Sequence, residues 1–157
     1  DENTMMGPVS SIKSADELEQ QQNNSINKGA EVITGAKRIG ANYQPTILAN
    51  IKEGMPAYSE ELFGPVASVI NAKDAEDAIA IANSHRYGLA ATLFTKDLDK
   101  AYYLARKINA GAVFINAMVK SDPRLPFGGV KKSGYGRELS YYGMKEFTNV
   151  KTIYINP

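Results

Sequence analysis

The 157-residue sequence contains no cysteine. That excludes disulfide staples, thiolate metal sites and a cysteine nucleophile within this chain, and it leaves the redox compartment open. Histidine is nearly as scarce: His85 is the only one, in a Ser-His-Arg-Tyr stretch that reads as a helix end. No group of His, Asp and Glu has metal-ligand spacing, and no Ser–His–Asp arrangement can be assembled. An excess of either charge is missing too, since 18 Lys and Arg face 17 Asp and Glu for a formal charge of +1. So even a balance supplies no field to recruit nucleic acid or an anionic membrane surface. No apolar run approaches the roughly 20 residues needed to cross a bilayer, and no secretory apolar segment opens the chain. No metal, nucleic-acid or membrane partner is expected.

What is present is ordinary for a soluble globular protein, with 43% apolar and 22% charged residues. A chain of this length suits a single domain that buries about 70% of its unfolded surface. It starts at Asp1, with Met5 the first methionine, as processing or a cut from a longer protein would leave it. Residues 1–13 read as an irregular lead-in. Ser14 to Lys28 reads as a helix, with Ser14 and Glu17 as a capping box and Gly29 as terminator. Its apolar side, Ala15, Leu18 and Ile26, is thin and predicts a surface helix. Ala30 to Thr34 and Tyr43 to Leu48 read as strands, and Pro45 predicts an edge position for the second.

From Val66 the pattern becomes regular. Val66 to Ala72, Leu89 to Thr95 and Ala112 to Asn116 read as strands, separated by helices that Asp74 and Asp97 cap. Strand–helix–strand–helix–strand at this spacing predicts an α/β fold with a parallel sheet and right-handed crossovers. Continuous apolar strands predict burial on both faces. A short helix from Ser140 to Phe147 and a β-branched strand from Val150 to Ile155 close the chain. A terminal strand of this kind offers an open amide row to another chain.

The stretch from Ser121 to Glu138 is the least ordinary. Gly128, Gly129, Gly134 and Gly136 follow Pro123 and Pro126, so no regular element fits, yet Leu125 and Phe127 are apolar. A shaped loop with apolar side chains packs against a core or a ligand. Lys131, Lys132 and Arg137 among its glycines suit a phosphate cradle, or equally a tight structural loop with solvated bases; neither the Walker nor the dinucleotide spacing is present. Ser121 and Arg124 beside Phe127 suit a small carboxylate substrate, or an ordinary Ser-Asp-Pro turn. Upstream, Glu60-Glu61-Leu62-Phe63-Gly64-Pro65 holds a carboxylate on a Gly-Pro turn, placed to accept from a ribose diol or simply solvated.

Two of these stretches carry a resemblance. Glu60 to Pro65 resembles the Glu-Glu-x-Phe-Gly-Pro motif of the NAD(P)-dependent aldehyde dehydrogenases. Phe127 to Glu138 is similar to their Phe-Gly-Gly-x-Lys-x-Ser-Gly-x-Gly-Arg-Glu motif at every specified position, and Tyr43-Gln44-Pro45-Thr46 resembles the family's x-x-Pro-Thr strand. Met118 to Pro126 most resembles the succinate-semialdehyde dehydrogenase branch. The resemblance implies the C-terminal part of such an enzyme: residues 1–148 from the Rossmann-like catalytic domain and 149–157 an oligomerisation strand. It implies NAD or NADP as cofactor, with Glu61 on the nicotinamide ribose and Phe63 by the nicotinamide ring. Phe127 would line the aldehyde tunnel and Ser121 would bind the far carboxylate, while the Gly128–Glu138 loop would be structural.

The reaction implied is attack of a cysteine thiolate on the aldehyde, hydride transfer to NAD(P)+ and hydrolysis of the thioester. The family's nucleophilic cysteine, general-base glutamate, Gly-rich cofactor motif and carboxylate-gripping arginines have no counterpart in these residues. No catalytic residue is therefore assigned, and no turnover is expected of residues 1–157 alone. A cytoplasmic homo-oligomer, dimer or tetramer through the C-terminal strand, is the implied setting. The other readings are a non-catalytic oligomerisation or nucleotide-binding module, and a dehydrogenase for a different aldehyde.

Overall fold

The computed structural model describes residues 3–157, which form two compact units, one running to Ala72 and the other spanning Lys73–Pro157. The first unit is built around α1 (Ile12–Asn27), β1 (Glu31–Thr34), β2 (Arg38–Ile39), β3 (Asn42–Tyr43), β4 (Thr46–Ala49), α2 (Pro56–Ser59) and β5 (Val66–Ser68). α1 starts earlier than the sequence predicts. Ser11, not Ser14, is the cap: its Oγ accepts from the Ser14 amide at 3.0 Å, and Glu17 closes no box. Several serines sit together there, and composition does not rank them. The C-terminal end follows expectation, with Gly29 at φ 101° and paired bonds from Gly29 N to Ile26 O and Ala30 N to Ser25 O.

The thin apolar face of α1 is completed by polar residues. Ala15, Leu18, Gln22 and Ser25 lie on one face and are all buried, so the expectation of a surface helix is only half met. Ser25 Oγ donates to Gln21 O at 2.9 Å and accepts from the Ala57 amide at 3.0 Å, which ties α1 to α2. The core beneath holds Ala30, Leu48, Ile51, Met55 and Ala57.

The strand expected from Tyr43 to Leu48 is broken at Pro45 into β3 and β4. β3 pairs antiparallel with β2, while β4 lies between antiparallel β1 and parallel β5, with Thr46 opposite Val66. The edge position predicted from Pro45 is thus overturned beyond it. Pro45 precedes the ladder, and the first amide β4 needs, Thr46 N, donates to Pro65 O at 2.8 Å.

The second unit contains α3 (Ala75–Ser84), β6 (Tyr87–Gly88), β7 (Ala90–Leu93), α4 (Leu98–Ala105), β8 (Ala112–Ile115), β9 (Val130–Lys131) and α5 (Ser140–Glu146). Asp74 and Asp97 cap α3 and α4 as predicted, accepting from Asp77 N and Lys100 N at 2.9 Å each. β7 and β8 pair in parallel, Ala90 with Ala112 through Leu93 with Ile115, and α4 crosses between them. The first of the three predicted strands, β5, pairs with β4 instead. Every residue of β7 and β8 is half-buried rather than enclosed, as befits a two-stranded ladder.

The strand predicted from Val150 to Ile155 takes no ladder among the described residues. Val150, Ile153, Tyr154 and Ile155 are 79–88% exposed. A strand exists only with a partner, and none of the described residues pairs with this segment.

Candidate functional site

Glu60 to Pro65 leaves α2 as a tight double turn, with Gly64 N donating to Leu62 O and Val66 N to Gly64 O, both at 2.8 Å. A Cβ at position 64 would meet the tip of the buried Leu18 side chain, which would have to shift to admit it. Gln21 Nε2 donates to Glu60 Oε2 at 2.8 Å and to Glu61 O at 3.3 Å, which stitches the turn to α1. The two carboxylates therefore differ. Glu60 is engaged, whereas among the described residues none bonds the exposed Glu61 carboxylate. Phe63, two residues on, is 75% exposed. An unclaimed carboxylate beside an unburied aromatic is free to take a diol and a flat ring.

In the second unit the motif loop is a closed ring. Phe127 N donates to Glu138 O at 2.9 Å and Glu138 N to Phe127 O at 2.8 Å. Inside it Arg137 Nη1 donates to Gly136 O at 2.6 Å and Gly129 O at 3.1 Å. Ser133 Oγ accepts from Gly88 N at 3.0 Å, and β9 pairs with β6. Lys131 Nζ donates to Asn83 O and His85 O at 2.9 and 3.0 Å, closing the C-terminal end of α3. Lys131 and Arg137, two of the three cations in the loop, are bonded to backbone carbonyls and hold it as a clamp. Sequence reasoning missed the lysine's task because it spans more than forty positions.

Phe127 opens this clamp, and Ser121 precedes it by six residues. Ser121 is exposed on a turn in which Asp122 Oδ1 accepts from Arg124 N and Nε at 2.9 Å each, and Oδ2 accepts from Nη2 at 2.7 Å. The Arg124 side chain, then its amide, hold the Asp122 carboxyl below the usual carboxylate range. Leu125 N to Asp122 O at 2.9 Å and Ser140 N to Pro123 O at 3.0 Å fix the turn against the start of α5. Arg124, which the sequence offers either to a carboxylate substrate or to an ordinary turn, is paired with Asp122. Phe127 is half-buried and lines an open depression of about 570 Å³ with Leu89, Tyr135, Arg137 and Phe147. Glu61 and Phe63 thus share one turn of the first unit, and Ser121 and Phe127 share one loop region of the second. His85 Nδ1 accepts from Tyr87 N at 3.2 Å, a local role. Among the described residues no three His, Asp or Glu are placed to hold a metal ion.

A family model described as "Aldehyde dehydrogenase family" matches residues 1–153. The chain belongs to the aldehyde dehydrogenase family. Succinate semialdehyde dehydrogenase [NAD(P)+] of Escherichia coli is 45% identical over 98% of the chain, and that match covers 34% of its length. Succinate-semialdehyde dehydrogenase [NADP(+)] of Deinococcus radiodurans is 47% identical over 98% of the chain and 33% of its own length. The crystal structure of succinic semialdehyde dehydrogenase from Streptococcus pyogenes in complex with NADP+ superposes with a TM-score of 0.92 at 39% identity. It covers the whole of this chain and 35% of that one. The chain therefore spans about a third of the length of the relatives it matches. Family, branch and α/β class, read above from motifs and periodicity, all agree with these relatives.

Proposed function

We propose that these residues serve an oxidoreductase that oxidises succinate semialdehyde to the acid with NAD+ or NADP+. The observation that carries this is identity of 45–47% along nearly the entire chain to dehydrogenases of that name. The geometry of both motifs supports it. Glu61 accepts from the nicotinamide ribose and Phe63 packs by the ring, which presents the cofactor that takes up hydride. Phe127 walls the aldehyde path, and Ser121 donates to the far carboxylate. These groups bind and orient; none attacks the substrate. The reactive thiol and the general base then belong to polypeptide outside these residues. Residues 1–148 are catalytic-domain structure, and residues 149–157 join subunits of a cytoplasmic dimer or tetramer.

Two measurements test this. Residues 1–157 alone should produce no reduced nicotinamide from succinate semialdehyde and NAD(P)+; turnover by that chain would end the proposal. In the complete enzyme Ser121→Ala should lower kcat/KM for succinate semialdehyde by about ten- to a hundredfold, the worth of one hydrogen bond to a charged group. The uncharged aldehyde butanal should be far less affected. Equal loss on both substrates would remove Ser121 from the carboxylate site.

A further inference from the structure

The turn that carries Ser121 has an unusual arrangement of charge. Lys120 precedes the serine, Asp122 follows it, and Arg124 closes on Asp122 with three hydrogen bonds of 2.7–2.9 Å. Arg124 is 86% exposed and Asp122 28%. A pair so open to water adds little to stability. Its effect is on where charge lies: a carboxylate one residue from Ser121 repels an anionic substrate unless a cation is held against it. The backbone is fixed separately, by Leu125 N on Asp122 O and Ser140 N on Pro123 O.

We propose that Arg124 is a specificity residue: held against Asp122 it neutralises the carboxylate beside Ser121, and with Lys120 its charge leaves the Lys120–Arg124 turn net positive, which favours an anionic aldehyde at Ser121. This rests on the reading of Ser121 given above. The charged groups concerned are Lys120, Asp122 and Arg124, giving +1 for the turn. Arg124→Gln brings it to zero, Asp122→Asn to +2, and the double variant back to +1. Asp122→Asn retains a side-chain oxygen where the Arg124 amide now finds Oδ1, so the turn survives that substitution.

The test measures kcat/KM for succinate semialdehyde relative to butanal in the complete enzyme, so that general damage to the loop cancels. One unit charge several ångströms from the substrate in a partly solvated site shifts the ratio by about three- to tenfold. Arg124→Gln is expected to lower the ratio by that factor and Asp122→Asn to raise it. The double variant should return to within about twofold of the parent, and added salt should shrink each shift. If both single variants move the ratio the same way, or the double variant stays as low as Arg124→Gln, the charge proposal is overturned. The Ser121 reading survives that result provided Ser121→Ala still lowers the ratio. A ratio that Ser121→Ala does not move overturns that reading, and this proposal with it.

Discussion

Gln22 Oε1 accepts from the Tyr43 hydroxyl at 2.9 Å, with both side chains at least 95% shielded from water. Two amphipathic residues are buried here because each completes the other, and that pairing joins α1 to the β2–β3 hairpin. Removing the hydroxyl strands a buried acceptor. Tyr43→Phe should therefore cost about 1–3 kcal/mol in urea unfolding of the chain. A loss below a few tenths would show that the amide finds another donor. Burial first, and the Glu19 carboxylate second, raise the tyrosine's pKa against a smaller opposing effect of Arg38. The sign follows: the neutral form is favoured on folding, so this stability is present below the unfolded value of 10.0. It fades as pH climbs through the raised folded value, and Tyr43→Phe should lack that alkaline loss.

Among the elements, the clamp from Phe127 to Glu138 is the one that sequence described best and explained least. Its glycines announce an unusual backbone, but the reason each is needed is a neighbour. A Cβ on Gly129 would sit 2.5 Å from Ser133 Cβ and 2.7 Å from the Ser133 carbonyl. That backbone is tied by Ser133 N to Val130 O at 3.1 Å, and the Ser133 side chain accepts from Gly88 N. Gly129→Ala should thus cost about 1–3 kcal/mol by overpacking, read as a lowered midpoint in thermal unfolding. Gly134 makes a useful contrast, because at φ 136° it meets nothing within 4 Å and is required by torsion alone. Helix caps were legible at Asp74 and Asp97 since a cap acts within three residues. At the start of α1 the capping-box pattern of Ser14 with Glu17 chose the wrong serine, because the helix begins earlier, at Ile12, with Ser11 as its cap.

For the molecule as a whole, the exposed C-terminal segment is where the proposed joining of subunits can be tested. Four large apolar side chains between Val150 and Ile155 stand in water within six positions of one another. Deleting residues 149–157 should lower the oligomeric state measured by analytical ultracentrifugation, while leaving far-ultraviolet circular dichroism nearly unchanged. The latter follows because the segment makes no ladder among the described residues. If the deletion leaves the sedimentation profile as it was, these residues do not join subunits. The candidate site has the same dependence on context. The motifs nominate Glu61 and Phe63 in one unit and Ser121 and Phe127 in the other, yet which of the adjacent carboxylates Glu60 and Glu61 is engaged was set by Gln21, forty positions before the Glu61 carbonyl it also holds.

The sequence by itself determined the α/β class, both Asp caps, the glycine stop after α1 and the two motif turns. All of these arise from torsional limits and contacts a few residues long. Only tertiary structure decided that Gln22 and Ser25 are core, that β4 is a central strand and that Lys131 closes α3. Such outcomes depend on hydrogen-bond partners and excluded volume brought together by folding, and no local pattern carries that information.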